Sequence, residues 1–300
     1  MNTDTPLPPE EPAGKNPPDG AIINYYLKSK VSGPVVIEIL DGSGRLVRRY
    51  SSDDKPEAID EIGRRVNIPT YWIRLPQPVS TEAGMQRFVW DLHYGPCDWL
   101  PAQFPISAIY RDTWREPQGP WALPGNYTVR LTVAGRTFSQ PLVLKMDPRV
   151  KTPAEGLGQQ HDIAMKCYES LIQVRDALAE LRSLRAQLKE LAGRVTAGPL
   201  ADAIATLDKS CGALEGTGGG RFGGAGGGEP TLNRVQGELL TLMDIVEGAD
   251  VAPTTQANSA SDALQKRLAS VLSRWREMKY RDVKPLNDQL RQAGLPAVRN

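Results

Sequence analysis

The sequence predicts a multidomain β + α chain: a β-sandwich over residues 21–147, followed by an antiparallel helical bundle over 153–293. Two observations carry this. Before Asp147 apolar residues alternate in short runs between turn signals; after it they recur every three or four residues. Fifteen of the 19 aromatic residues also precede Asp147, so the first part has an aromatic core and the second an aliphatic one. At 300 residues and 40% hydrophobic, the chain is long enough for two cores.

Residues 1–20 hold six prolines and almost nothing apolar, which reads as an extended, disordered linker or tail. Ile22–Leu27 and Val35–Leu40 are the first strands. Asp41-Gly42-Ser43-Gly44 then turns the chain into Arg45–Tyr50, because glycine accepts positive φ without steric cost. Gln86–Leu92 is a further strand. Pro124-Gly125-Asn126 precedes Tyr127–Val133, and Ala134-Gly135 turns that strand into Thr137–Leu144. Short strands separated by turns indicate a sandwich of the immunoglobulin-like kind.

Beyond Asp147-Pro148-Arg149, the stripe Leu171, Val174, Leu178, Leu181, Leu184, Leu188, Leu191, Val195 defines a long amphipathic helix. Gly198-Pro199 breaks it, and Leu200, Ile204, Leu207, Cys211 and Leu214 resume the pattern. Residues 216–228 contain nine glycines in thirteen positions and read as a flexible loop. They lack the Lys-Ser/Thr and preceding strand of a phosphate-binding loop. Leu232–Val246 forms the next helix, with Pro230 near its first turn. After a loop at 250–258, Ser259 or Ser261 caps a helix carrying Leu264, Leu268, Val271, Trp275 and Met278. A short helix covers Pro285–Ala293. Stripes of this kind bury against one another in a bundle, and could also face a partner helix.

The 36 basic and 35 acidic residues nearly cancel, which argues against nucleic acid as a partner. No apolar run approaches a membrane span, and Met1–Gly20 has no signal-peptide pattern. Three scattered cysteines form no disulfide framework. No cofactor motif is present. A Ser-His-Asp arrangement finds no Gly-x-Ser-x-Gly, so no catalytic residue is assigned.

The densest polar cluster is Asp91–Trp99. His93 and Cys97 have metal-ligand chemistry and Asp91 could orient the imidazole, but zinc takes about four ligands. The only other histidine, His161, opens the helical half. Alternation places Asp91 and His93 opposite Trp90 and Leu92, as a structural rim. Asp91 with Asp98 or Asp112 is the one carboxylate pair for glycosidic hydrolysis; as loop residues they read as solvated carboxylates. Trp99, Trp114 and Trp121, with Tyr94 and Tyr110, are the candidate ligand-binding set, since flat aromatic faces stack on sugar rings. The plainer alternative makes them core and clamps of the long 93–123 excursion. A loop of that length is unusual unless it binds or docks something.

An ordered set of short segments carries a family resemblance: Pro17-Pro18-Asp19-Gly20-Ala21, Tyr25-Tyr26-Leu27, Ile37-Glu38-Ile39-Leu40-Asp41, Arg87–Leu92, Pro124–Val129 and Met146–Arg149. Ala252-Pro253-Thr254 through Trp275 and Leu286-Asn287 continue it. The set resembles the C-terminal region of bacterial Asp-box repeat (BNR), sortilin-like "glycosyl hydrolase" propeller proteins. The resemblance implies a secreted or periplasmic setting and places any hydrolase activity on a propeller. No Ser-x-Asp-x-Gly-x-x-Trp motif occurs in this chain, so no catalytic residue carries over. The expected function is a non-catalytic accessory module, binding a protein partner or an upstream propeller through the 93–123 excursion or a sandwich face. The alternatives are a carbohydrate-binding module and a glycoside hydrolase.

Overall fold

The computed structural model describes residues 17–66, 68–105, 110–216 and 229–299. Most of the expected proline-rich tail and, after Gly216, all of the glycine-rich loop lie outside the described residues. The chain divides into two compact units, one ending at Lys151 and the other beginning at Thr152. The first is β-rich and the second helical.

In the first unit, β1 (Ala21–Leu27) pairs antiparallel with β4 (Gly84–Trp90), Ala21 facing Trp90. A second antiparallel sheet comprises β2 (Val35–Leu40), β3 (Leu46–Ser51), β5 (Gly125–Val133) and β6 (Arg136–Leu144), in the order β3-β2-β5-β6. The expected turn joins β2 to β3: Asp41 Oδ1 accepts the N–H groups of Ser43 (2.9 Å) and Arg45 (3.0 Å), and Gly44 has φ +83°. Burying one face of β2 removes Val35, Ile37 and Ile39 from water. Rings from the two sheets meet, Tyr50 with Phe88 at 4.6 Å and Trp90 with Tyr127 at 5.5 Å between centroids. β5 is largely half-buried with Tyr127 buried, whereas β6 is mostly exposed and has no buried residue.

The strand expected over Gln86–Leu92 ends at Trp90. Leu92 has φ +62°, a left-handed conformation that breaks the two-residue alternation. His93 is therefore turned inward and buried rather than sitting on a rim. Between β3 and β4, a short helix α1 (Ile59–Gly63) and a 3-10 turn (Thr70–Trp72) form where the sequence carried no clear pattern.

In the second unit, α2 (Ala154–Arg194) is 41 residues long and packs against α3 (Pro199–Glu215), α4 (Leu232–Glu247) and α5 (Thr255–Met278). The expected stripe is buried from Leu171 to Leu191, while Val195 falls just past the helix end. Gly198 at φ +90° makes the break, and Pro199 opens α3, where a missing N–H costs nothing. The last long helix starts earlier than expected: Thr254 Oγ1 caps it by accepting Ala257 N–H at 3.1 Å, and Ser261 is a buried residue inside it. Threonine is a natural N-cap too, so the helix begins inside the stretch expected as a loop. A π-helical turn (Lys279–Val283) joins α5 to α6 (Lys284–Gln292). Among the described residues no helix is long and apolar enough to cross a membrane.

Candidate functional site

The 93–123 excursion is tied down by backbone hydrogen bonds. At its base, Leu92 O accepts Ala122 N–H (2.7 Å) and Pro120 O accepts Tyr94 N–H (2.8 Å). Gln103 and Glu116 exchange two further bonds, at 3.0 and 2.8 Å. Residues 111–113 run beside 71–74. Arg111 N–H donates to Tyr71 O, Thr113 N–H to Trp72 O and Arg74 N–H to Thr113 O, each at 2.9 Å. Gly119 lies so close to the Tyr94–Gly95 backbone that a Cβ there would collide with it. The described backbone of this loop is therefore set before any ligand arrives, which lowers the entropic cost of binding.

Within this frame a stack assembles. The Trp121 ring, 49% exposed, lies 3.6 Å between centroids from the His93 ring, which is 8% exposed. His93 also neighbours Trp114, at 6.5 Å. The Arg74 guanidinium sits 3.5 Å over the Trp114 ring, and is paired with Asp112 and, at 3.5 Å, with Asp19. Trp90 Nε1–H donates to His93 O at 3.0 Å, which ties the stack to the core.

Electrostatics keep His93 neutral. Burial pushes its pKa below the ordinary 6.5, and nearby Arg48 pushes the same way, while Asp91 opposes them. The Asp91 carbonyl can only accept, so the 2.8 Å contact makes Nδ1 the protonated nitrogen. Asp91 Oδ1 accepts Tyr50 O–H (3.3 Å) and His93 N–H (3.2 Å). Burial raises the Tyr50 hydroxyl well above the usual phenol range.

The five aromatic candidates are not equivalent. Tyr94 is buried; Arg45 Nη2 donates to its hydroxyl (3.3 Å) and Arg48 Nη1 to its carbonyl (2.8 Å), so it belongs to the core. Trp99 is half-buried, and Trp114 has Arg74 over one face. Trp121 and Tyr110 remain open to solvent, Tyr110 at 66%. Cys97 is buried, and among the described residues no three His, Cys, Asp or Glu side chains gather around a metal position. Of the carboxylates, Asp112 is engaged by Arg74, Asp91 serves Tyr50 and His93, and Asp98 is exposed.

Sequence reasoning missed Arg74 and Arg111. Arg74 meets its partner Asp112 across 38 positions, and local pattern carries no signal for such a contact. Arg111 has φ +52° and its guanidinium stands 5.2 Å from the Tyr110 ring. Comparison with family models, with curated proteins and with solved structures yields no match.

Proposed function

We propose that this chain is a non-catalytic interaction module that binds through the aromatic 93–123 excursion. One observation carries the reading: Trp121 rests its ring against buried His93, tilted by 39°, and stays 49% exposed. A tryptophan already held in place is the kind of anchor that dominates protein interfaces. In this reading the β-unit is an immunoglobulin-like sandwich, supported by the ring contacts between its two sheets, and the helical unit is a bundle around α2. The partner we propose, following the resemblance to Asp-box proteins, is a propeller of that type.

The test is titration of the full chain with a purified Asp-box propeller, read by tryptophan emission and calorimetry. Binding is expected to weaken by at least about thirtyfold in Trp121→Ala, the size of a hot-spot loss. Equal affinity of wild type and variant would sink the reading. A carbohydrate-binding module is the second reading, because a half-exposed indole also packs on sugars. Emission quenched by polysaccharide and not by the propeller would move the assignment there. Turnover of a chromogenic glycoside by the purified chain would instead favour the hydrolase.

A further inference from the structure

One end of the excursion carries a patch that the stack does not use. Tyr71 (58% exposed) and Tyr110 (66%) stand on backbone segments that run side by side, joined by the Arg111 N–H to Tyr71 O bond at 2.9 Å. Arg111 is exposed, with its guanidinium 5.2 Å from the Tyr110 ring. Its backbone has φ +52°, a left-handed conformation uncommon for a long side chain. The N–H groups of Arg111, Asp112 and Thr113, bonded to the Tyr71 and Trp72 carbonyls, hold it there. Such outliers cluster at ligand clamps, where the surrounding structure offsets their cost. The next carboxylate along the chain, Asp112, is taken by Arg74. Among the described residues no carboxylate pairs with Arg111.

Two open phenols and one unmatched guanidinium set the size and charge of what fits. A tyrosine buries roughly 150–250 Å² on contact, whereas a stable protein interface takes about 800 Å² per partner, so the patch suits a small ligand. A nucleic-acid strand needs a row of cations for its phosphates, and these three side chains include one. A sugar ring offers a flat C–H face to a phenol, and a carboxylate on that ring gives the arginine fork two oxygens to meet. A uronate chain carries both in every unit.

We propose that Tyr71, Tyr110 and Arg111 form a binding site for an acidic polysaccharide of uronate units. The two phenols take sugar faces, and the Arg111 guanidinium takes one carboxylate as a bidentate pair. The site is separate from the Trp121 stack and does not rest on the propeller contact.

The experiment is calorimetric titration of the full chain with oligomers of galacturonate, glucuronate and mannuronate, beside the methyl ester of each. The ester keeps the sugar faces and removes the charge. Saturable binding of at least one oligomer is expected, weakened at least about tenfold by esterification. Arg111→Asn should weaken it as much, since asparagine accepts the left-handed backbone and the loop keeps its shape. Tyr71→Ala and Tyr110→Ala should each weaken it by about three- to tenfold. No binding of any oligomer would overturn the proposal, as would acid and ester binding alike. Equal binding of polyglutamate, unmoved by the tyrosine variants, would overturn it by reducing the patch to charge alone. Loss of uronate binding in Trp121→Ala would overturn it by placing the sugar on the stack. A failed propeller titration leaves this site untouched, and an inert patch leaves the propeller reading untouched.

Discussion

The two units solve the same burial problem with different chemistry. The helical unit buries aliphatic side chains along one stripe of α2, with Leu171, Leu181, Leu184 and Leu188 wholly removed from water. Its polar contacts include ion pairs between helices, such as Arg185 with Asp208 (2.9 Å) and Glu215 (2.6 Å). The β-unit buries aromatic rings and then extends them outward, from Trp90 through His93 to half-exposed Trp121. A leucine stripe is spent once it is packed. An aromatic ladder can stabilise with one face and present the other, so function is expected in the first unit and scaffolding in the second.

The largest effect should come from cutting the ladder at its root. Trp90→Ala removes a fully buried indole and the donor to His93 O, and should cost about 3–5 kcal/mol. Urea unfolding read by near-UV circular dichroism checks it. A loss under about 1 kcal/mol would mean that the excursion stands without the core. The matching cut in the helical unit is Leu181→Ala, expected at about 2–5 kcal/mol in the 222 nm transition, with Trp121 emission at low denaturant unchanged.

Smaller effects sharpen the contrast. Thr254→Ala removes the α5 cap and should cost about 1 kcal/mol by thermal melting, a purely helical effect. Arg74→Lys keeps the charge but loses the flat stack on Trp114 and the fork toward Asp112. About 1 kcal/mol is expected, with a change in the near-UV tryptophan bands.

Acid should act on the β-unit through His93. Its folded pKa lies below the ordinary 6.5, so the folded state holds it neutral and the unfolded state protonates first. The stabilisation is complete above about pH 6.5 and is lost as pH falls below it, at up to about 1.4 kcal/mol per pH unit until the folded pKa is reached. Denaturant midpoints between pH 7 and pH 5 measure this, and His93→Gln should flatten that part of the dependence. An unchanged slope in the variant would assign it to other groups.

Legibility differed between the units for the same physical reason. The stripe on α2 is periodic, so near neighbours in sequence are near neighbours on the helix, and Leu171 to Leu191 could be read directly. The turn at Asp41–Gly44 was legible because its hydrogen bonds close within four residues. The start of α5 lies earlier than the pattern indicates, since Thr254, Ser259 and Ser261 are all competent caps by residue type and only the structure shows Thr254 accepting Ala257 N–H. In the site, aromatic density marked the right stretch without separating its members. Tyr94 and Trp121 look alike in sequence, yet one is core and the other surface.

The sequence by itself determined the change from strands to helices near Asp147, the long helix with its break at Gly198-Pro199, and the presence of an aromatic excursion. Each follows from periodicity or turn chemistry that acts over a few residues. Only the tertiary structure decided that Leu92 turns His93 inward, that Arg74 caps Trp114, and that Tyr71 and Tyr110 share an edge. Those outcomes depend on contacts between segments tens of residues apart, where packing and backbone pairing choose among side chains that local pattern leaves equivalent.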